Sequence, residues 1–230
     1  MKQILLCLLF VFEPEAADTQ WTRVLTYTDN YENGSVTGKI ITIISESGDK
    51  GRIESRNYPT KTPENKPSGK DQDVLLYDFS KQQKTTLNAK MNIANNQPLA
   101  AEDQRNVQLL EKTSGMVTIE NLGPEKVGGF NCIHYVVGTV SPKLKAPANP
   151  QKKNIWITKE LGNSNIWYVG PNLYYIKGGY YQKKLAEAGA FGVVVKWKYG
   201  AAEATLTDHQ QRVLPSSTFD IPSGYSERSP

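Results

Sequence analysis

Phe191-Gly192-Val193-Val194-Val195-Lys196-Trp197-Lys198-Tyr199 places Phe191, Val193, Val195, Trp197 and Tyr199 on one side of an extended chain and Gly192, Lys196 and Lys198 on the other. Successive side chains of a strand point to opposite faces, so this period of two predicts a strand with one buried face. Less regular segments of the same kind run over 21–28, 36–45, 51–58, 73–79, 84–91, 116–121, 129–140, 153–159 and 202–208, with Gly, Asn, Asp or Pro between most of them. Ten such segments predict a mainly β protein, α+β at most, built on antiparallel pairs. Asn33-Gly34 and Gly48-Asp49 have the residues of tight hairpin turns, which would join the first three strands into a meander.

Two stretches favour helix instead. One is 102–112; the other is 180–188, where Tyr181, Leu185 and Ala188 recur at i, i+4 and i+7. The Pro-punctuated segments 58–70 and 141–152 read as exposed loops. Lys143, Lys145, Lys152 and Lys153 come nearest to a basic patch, and their place in the second of these segments predicts plain solvation. With a net charge of +4 spread over dispersed Lys and Arg, no nucleic-acid partner is expected.

The chain opens on Met1-Lys2-Gln3, the apolar run Ile4–Phe12, and then Glu13-Pro14-Glu15-Ala16-Ala17. One basic residue before a short apolar run fits a secretory signal, and the run falls short of the about 20 residues that span a bilayer. The expected organisation is a signal peptide over 1–17 and a single β-rich domain over 18–230, located in the periplasm or outside the cell. Any contact with a membrane would be peripheral. Cys7 lies in the leader, which leaves Cys132 alone and predicts a core held by packing rather than by disulfides. Asn33-Gly34-Ser35 matches a glycosylation sequon, a pattern too short to argue from.

Catalytic patterns are scarce. His134 and His209 are the two histidines, and neither a phosphate-binding Gly loop, a nucleophile elbow nor a zinc-binding His pair occurs. Cys132 and His134 share a strand face, yet no second pair is spaced to complete a metal site, so the reading is a packed thiol beside an imidazole. No enzyme activity, catalytic residue, metal or cofactor is expected. The aromatic concentration in the last third of the chain is the feature that could line an apolar cradle, with Trp156, Phe191, Trp197 and Tyr199 as its candidate walls.

Three segments in order carry a resemblance: Gly128-Gly129-Phe130-Asn131-Cys132-Ile133-His134-Tyr135, Ile155-Trp156-Ile157-Thr158-Lys159-Glu160-Leu161, and Ser217-Thr218-Phe219-Asp220-Ile221-Pro222-Ser223-Gly224-Tyr225. Together they resemble an exported bacterial domain-of-unknown-function family (4412), whose fold is similar to that of the periplasmic lipoprotein carriers (LolA/LolB-like). The resemblance implies a curved antiparallel sheet or half-open β-barrel with short helices on its concave side, and a cradle that holds a lipid or acyl chain. Read on their own, Pro222 and Gly224 are expected to end the last strand and Phe219 to plug the edge of the sheet. The expected function is therefore binding of a hydrophobic or amphipathic ligand without catalysis. The alternative is a structural or interaction module of the envelope, with a protein partner, a packed interior and no ligand.

Overall fold

The computed structural model describes residues 19–33, 36–59, 74–100, 107–108, 116–140, 152–170 and 173–229. The leader, Cys7, the Asn33-Gly34 turn with its sequon, and most of both Pro-rich loops lie outside them. Of the helix predicted over 102–112, Val107 and Gln108 are described, and both are helical.

Fourteen strands account for most of the described chain: β1 Thr19–Asn33, β2 Val36–Ser47, β3 Lys50–Pro59, β4 Val74–Asp78, β5 Gln83–Asn88, β6 Ile93–Pro98, β7 Met116–Val127, β8 Phe130–Val140, β9 Lys153–Thr158, β10 Ile166–Gly170, β11 Leu173–Ile176, β12 Val193–Tyr199, β13 Ala202–Pro215 and β14 Ser226–Arg228. Twelve of them form one curved sheet, in the order β14-β6-β5-β4-β3-β2-β1-β13-β12-β9-β8-β7, that does not close into a barrel. Every pair is antiparallel except β14 with β6. The expected mainly β fold with a large curved sheet is thus what the chain adopts.

The sheet has one heavily covered face. Cross-strand rows such as Tyr135–Ile155–Trp197–Ala204 and Leu25–Ile44–Ile53 bring apolar side chains to it, and these residues are buried. The hairpin β10–β11 lies over β12 and β13 on that face, followed by helix α1 (Tyr180–Glu187). Leu185 of α1 is fully buried, and Tyr181 and Ala188 pack beside it, as the 3.6-residue spacing predicts. Burial of this kind contributes about 25 cal/mol per Å² of apolar surface, which is the main support for a chain without disulfides.

Among the described residues the opposite face is covered only locally. After β13, a 3-10 turn at Ser216–Phe219 leads the chain across β3, where Arg52 Nη1 donates to the Thr218 carbonyl at 3.1 Å. Ile221 and Tyr225 then pack on Leu76, Leu87 and Ala94. Gly224, at φ +93°, turns the chain into β14, which pairs with β6. Pro222 and Gly224 therefore precede a final strand rather than end one, and Phe219 is buried under the tail rather than at an edge.

Several strands run longer than their patterns, among them β1, β7 and β13. The strand predicted over 116–121 continues through Gly123 and Pro124 to Val127, with a register shift between Asn121 and Gly123. A proline is tolerated there because β7 is an edge strand, whose outer side needs no donor. Among the described residues no helix is long and apolar enough to cross a membrane.

Candidate functional site

A cavity of about 510 Å³ opens between the covered face of the sheet and the β10–β11 hairpin. The sheet supplies Val137 and Thr139 from β8, Lys153 from β9, Trp197 and Tyr199 from β12 and Ala202 from β13; the cover supplies Val169, Leu173, Tyr175 and, from α1, Tyr181. Tyr175 and Tyr181 stack with ring centroids 4.8 Å apart and planes 4° from parallel, which fixes the roof. Tyr199 and Leu173, both part-exposed, stand where the cavity meets solvent. A hollow of this volume is larger than the voids of a close-packed core.

Of the four wall residues expected from the sequence, the structure brings Trp197 and Tyr199 together in this cavity. Trp156 pairs with Lys196 across β9 and β12 and with His134 across β8 and β9, and so points to the other face. There it stacks on His134 at 4.2 Å, lies under the Lys196 ammonium at 5.5 Å, and donates Nε1 to Glu125 at 2.7 Å. Phe191 precedes the strand. Gly192, at φ +132°, breaks the count of two, and Phe191 lines a separate hollow beside α1 with Trp167 and Ala190. A further hollow of about 620 Å³ is lined by Gln82, Lys177, Gly178, Gly179 and Lys183 among others, and lacks converging aromatic walls.

Lys153 is where sequence and structure disagree most. It was expected to be solvated, yet at the start of the strand predicted over 153–159 it is 8% exposed. Its ammonium lies 5.5 Å from the Tyr175 ring centroid and 5.6 Å from that of Tyr199. Burial pushes its pKa down to about 8. Parity was the missed signal: Lys153 is two residues before Ile155, so it shares the inward face.

The same parity runs from Leu25 and Tyr27 to Asp29 on β1. Asp29 is buried and accepts the Tyr168 hydroxyl on Oδ2, while Oδ1 has no hydrogen-bond partner among the described residues. Burial raises its carboxyl from 3.8 to about 7, against the lowering effect of the Tyr168 bond. The Tyr168 phenol is itself raised by burial and by the Asp29 charge. Tyr168 lies against Tyr27, Tyr174 and Trp197, which ties this acid to the aromatic floor of the cavity.

Between its unfolded pKa of 3.8 and its folded pKa of about 7, Asp29 keeps in the native state a proton that the unfolded chain has lost. Its contribution to stability is present at low pH and lost as pH rises through that window. Asp29→Asn, which preserves an acceptor for Tyr168, is expected to raise stability at about pH 8 by about 2 kcal/mol and to leave it unchanged at about pH 4. Urea unfolding at both pH values measures this, and equal effects would rule the assignment out.

The remaining constellation is closed. Cys132 is buried, its Sγ 3.7 Å from the Phe130 carbonyl, and burial above all pushes the thiol up to about 11. Among the described residues no three His, Cys, Asp or Glu side chains gather as a metal site. His209 stands edge-on to Phe130, away from the His134–Trp156 stack.

The recurring segments interlock instead. Glu160 Oε1 accepts from the Asn131 backbone at 2.8 Å and from its side-chain amide at 2.7 Å, while Thr158 Oγ1 donates to the Asn131 carbonyl at 2.9 Å. The Gly-Gly-Phe-Asn-Cys strand and the Thr-Lys-Glu-Leu turn are thus two halves of one hydrogen-bonded corner, and the third segment clasps β4–β6 from the other face. No curated protein matches the chain. The model of the family described as "Domain of unknown function (DUF4412)" matches residues 43–225, a span that holds all three segments and every strand from the middle of β2 through β13. The chain belongs to that family.

Proposed function

We propose that this protein is a non-catalytic component of the periplasm or cell envelope that holds a hydrophobic or amphipathic ligand, a lipid or acyl chain, in the cavity under the β10–β11 hairpin. The observation that carries the reading is the cavity itself: about 510 Å³ walled by Val137, Val169, Leu173, Tyr175, Trp197 and Tyr199. Removing an apolar chain from water there gains about 25 cal/mol per Å² of surface buried. Export is supported by the leader-like residues 1–17. The likeness to lipoprotein carriers is an analogy of fold and adds direction rather than proof.

Trp197→Ala is a poor test, since this side chain is 1% exposed and packs on Tyr168; its loss would cost about 3–5 kcal/mol of stability. Leu173→Trp is better, because Leu173 lines the mouth and is part-exposed. We expect this variant to melt like the wild type and to take up the neutral fluorophore N-phenyl-1-naphthylamine at least about tenfold more weakly, through steric block of a preformed pocket. Unchanged uptake would place the site elsewhere. Native mass spectrometry of protein isolated from cells reads leader removal and any apolar passenger together; absence of both uptake and passenger would favour the packed structural module.

A further inference from the structure

Beside the hydroxyls of Thr139, Tyr175, Tyr181 and Tyr199, the described lining of the cavity holds a cation. Lys153 is the one charged side chain among its lining residues, and it faces no carboxylate among the described residues. Its recorded neighbours are the rings of Tyr175 and Tyr199. The Trp197 indole, also in the lining, leaves its Nε1 donor without a hydrogen-bond partner among the described residues. A buried ammonium is costly unless it is paired, and a buried indole N–H is costly unless it is bonded. A buried ammonium with no carboxylate beside it among the described residues therefore calls for an acceptor carrying negative charge.

Building on the ligand-binding reading above, we propose that the natural ligand is an anionic amphiphile, an apolar chain ending in a single carboxylate, whose head pairs with Lys153 Nζ between the Tyr175 and Tyr199 rings. One ammonium matches one negative charge, and among the described residues of this lining there is no pair of guanidinium forks of the kind that recognise doubly charged phosphates. Val169, Leu173 and Tyr181 provide the apolar walls for the chain. Gly170 stands close by: a Cβ there would lie 3.8 Å from Lys153 Nζ, so its missing side chain leaves room at the head group.

The test compares dodecanoate with dodecanol as displacers of N-phenyl-1-naphthylamine from the full protein at neutral pH and low salt, below the concentrations at which either aggregates. Dodecanoate should displace at concentrations about tenfold or more lower than dodecanol, because the charge pair forms out of water. Lys153→Met should lose the preference for dodecanoate over dodecanol, and Lys153→Arg should keep it. Equal binding of the two by the wild type, or a preference that survives in Lys153→Met, overturns the carboxylate assignment and leaves the cavity reading standing. Failure of the wild type to bind either compound overturns both. Should Lys153→Met not fold, the wild-type comparison decides alone.

Discussion

Gly192→Ala is expected to leave the chain unable to reach its native state under conditions where the wild type is fully folded. Gly192 has φ +132°, and a Cβ built on it would lie 1.9 Å from the Thr158 carbonyl oxygen and 2.7 Å from the Thr158 carbonyl carbon. Those atoms belong to the backbone of β9, next to the strand that Gly192 leads into, so they cannot rotate away as a side chain could. The Gly192 carbonyl also accepts from Trp167 Nε1 at 3.0 Å and from the Ser164 amide at 3.1 Å. Moving it breaks both bonds. We expect a loss of about 5 kcal/mol or more, against a whole-protein stability of about 5–15 kcal/mol. Gly51→Ala is the informative comparison. There the added methyl meets Ile166 Cδ1 at 2.5 Å, the free end of a side chain, so a loss of about 1–3 kcal/mol is expected. Urea unfolding of both variants measures the order, and a Gly192→Ala protein as stable as Gly51→Ala would refute the argument.

Glu46→Ala is the second large effect. The Glu46 side chain is 3% exposed and accepts from five donor atoms. Oε2 accepts from Arg23 Nη2 at 2.7 Å and Nε at 3.1 Å; Oε1 accepts from the backbone amides of Asn165 at 2.7 Å and Ile166 at 2.9 Å; Ser164 Oγ lies 3.0 Å from both oxygens. Arg23 extends the network, donating Nη1 to the Leu161 carbonyl at 2.9 Å and Nη2 to that of Asn163. Alanine would strand a half-buried guanidinium and two amides at the point where β10 begins. The expected loss is about 3–5 kcal/mol. Because β10–β11 carries the cavity's roof, uptake of N-phenyl-1-naphthylamine should fall in the same variant, and Glu46→Gln, which keeps one acceptor, should lose less of both. A variant that loses stability but binds as before would show that the roof is held by packing rather than by Glu46.

The strands that alternate were legible and the strands that do not were missed. β12 is readable because one of its faces ends in lysines, whereas Ile166–Gly170 is buried throughout and so presents no period of two. β6, with Asn95, Asn96 and Gln97, and β14, Ser226–Arg228, are too polar to register as strands, and both depend on pairing with one another. In the cavity, parity within one strand puts Trp197 and Tyr199 on the same lining. Trp156 was misplaced because only the register of β9 against β12 tells which of its faces looks at Trp197. The polar residues of the interior, Asp29, Glu46 and Lys153, each continue an apolar row at the same parity, and that signal was present in the sequence. Composition hid it, since an isolated charge beside polar residues reads as solvated.

The central strand has a bearing on the pace of folding. β1 lies between β2, which follows it directly, and β13, whose register joins Thr19 to Pro215. That seam links the two extremes of the described chain, so it closes only after an entropically demanding search, and refolding should take milliseconds to seconds or longer. During synthesis β1 would wait with one bare edge until β13 has emerged from the ribosome, an interval in which the growing polypeptide is open to chaperones and to wrong strand partners alike.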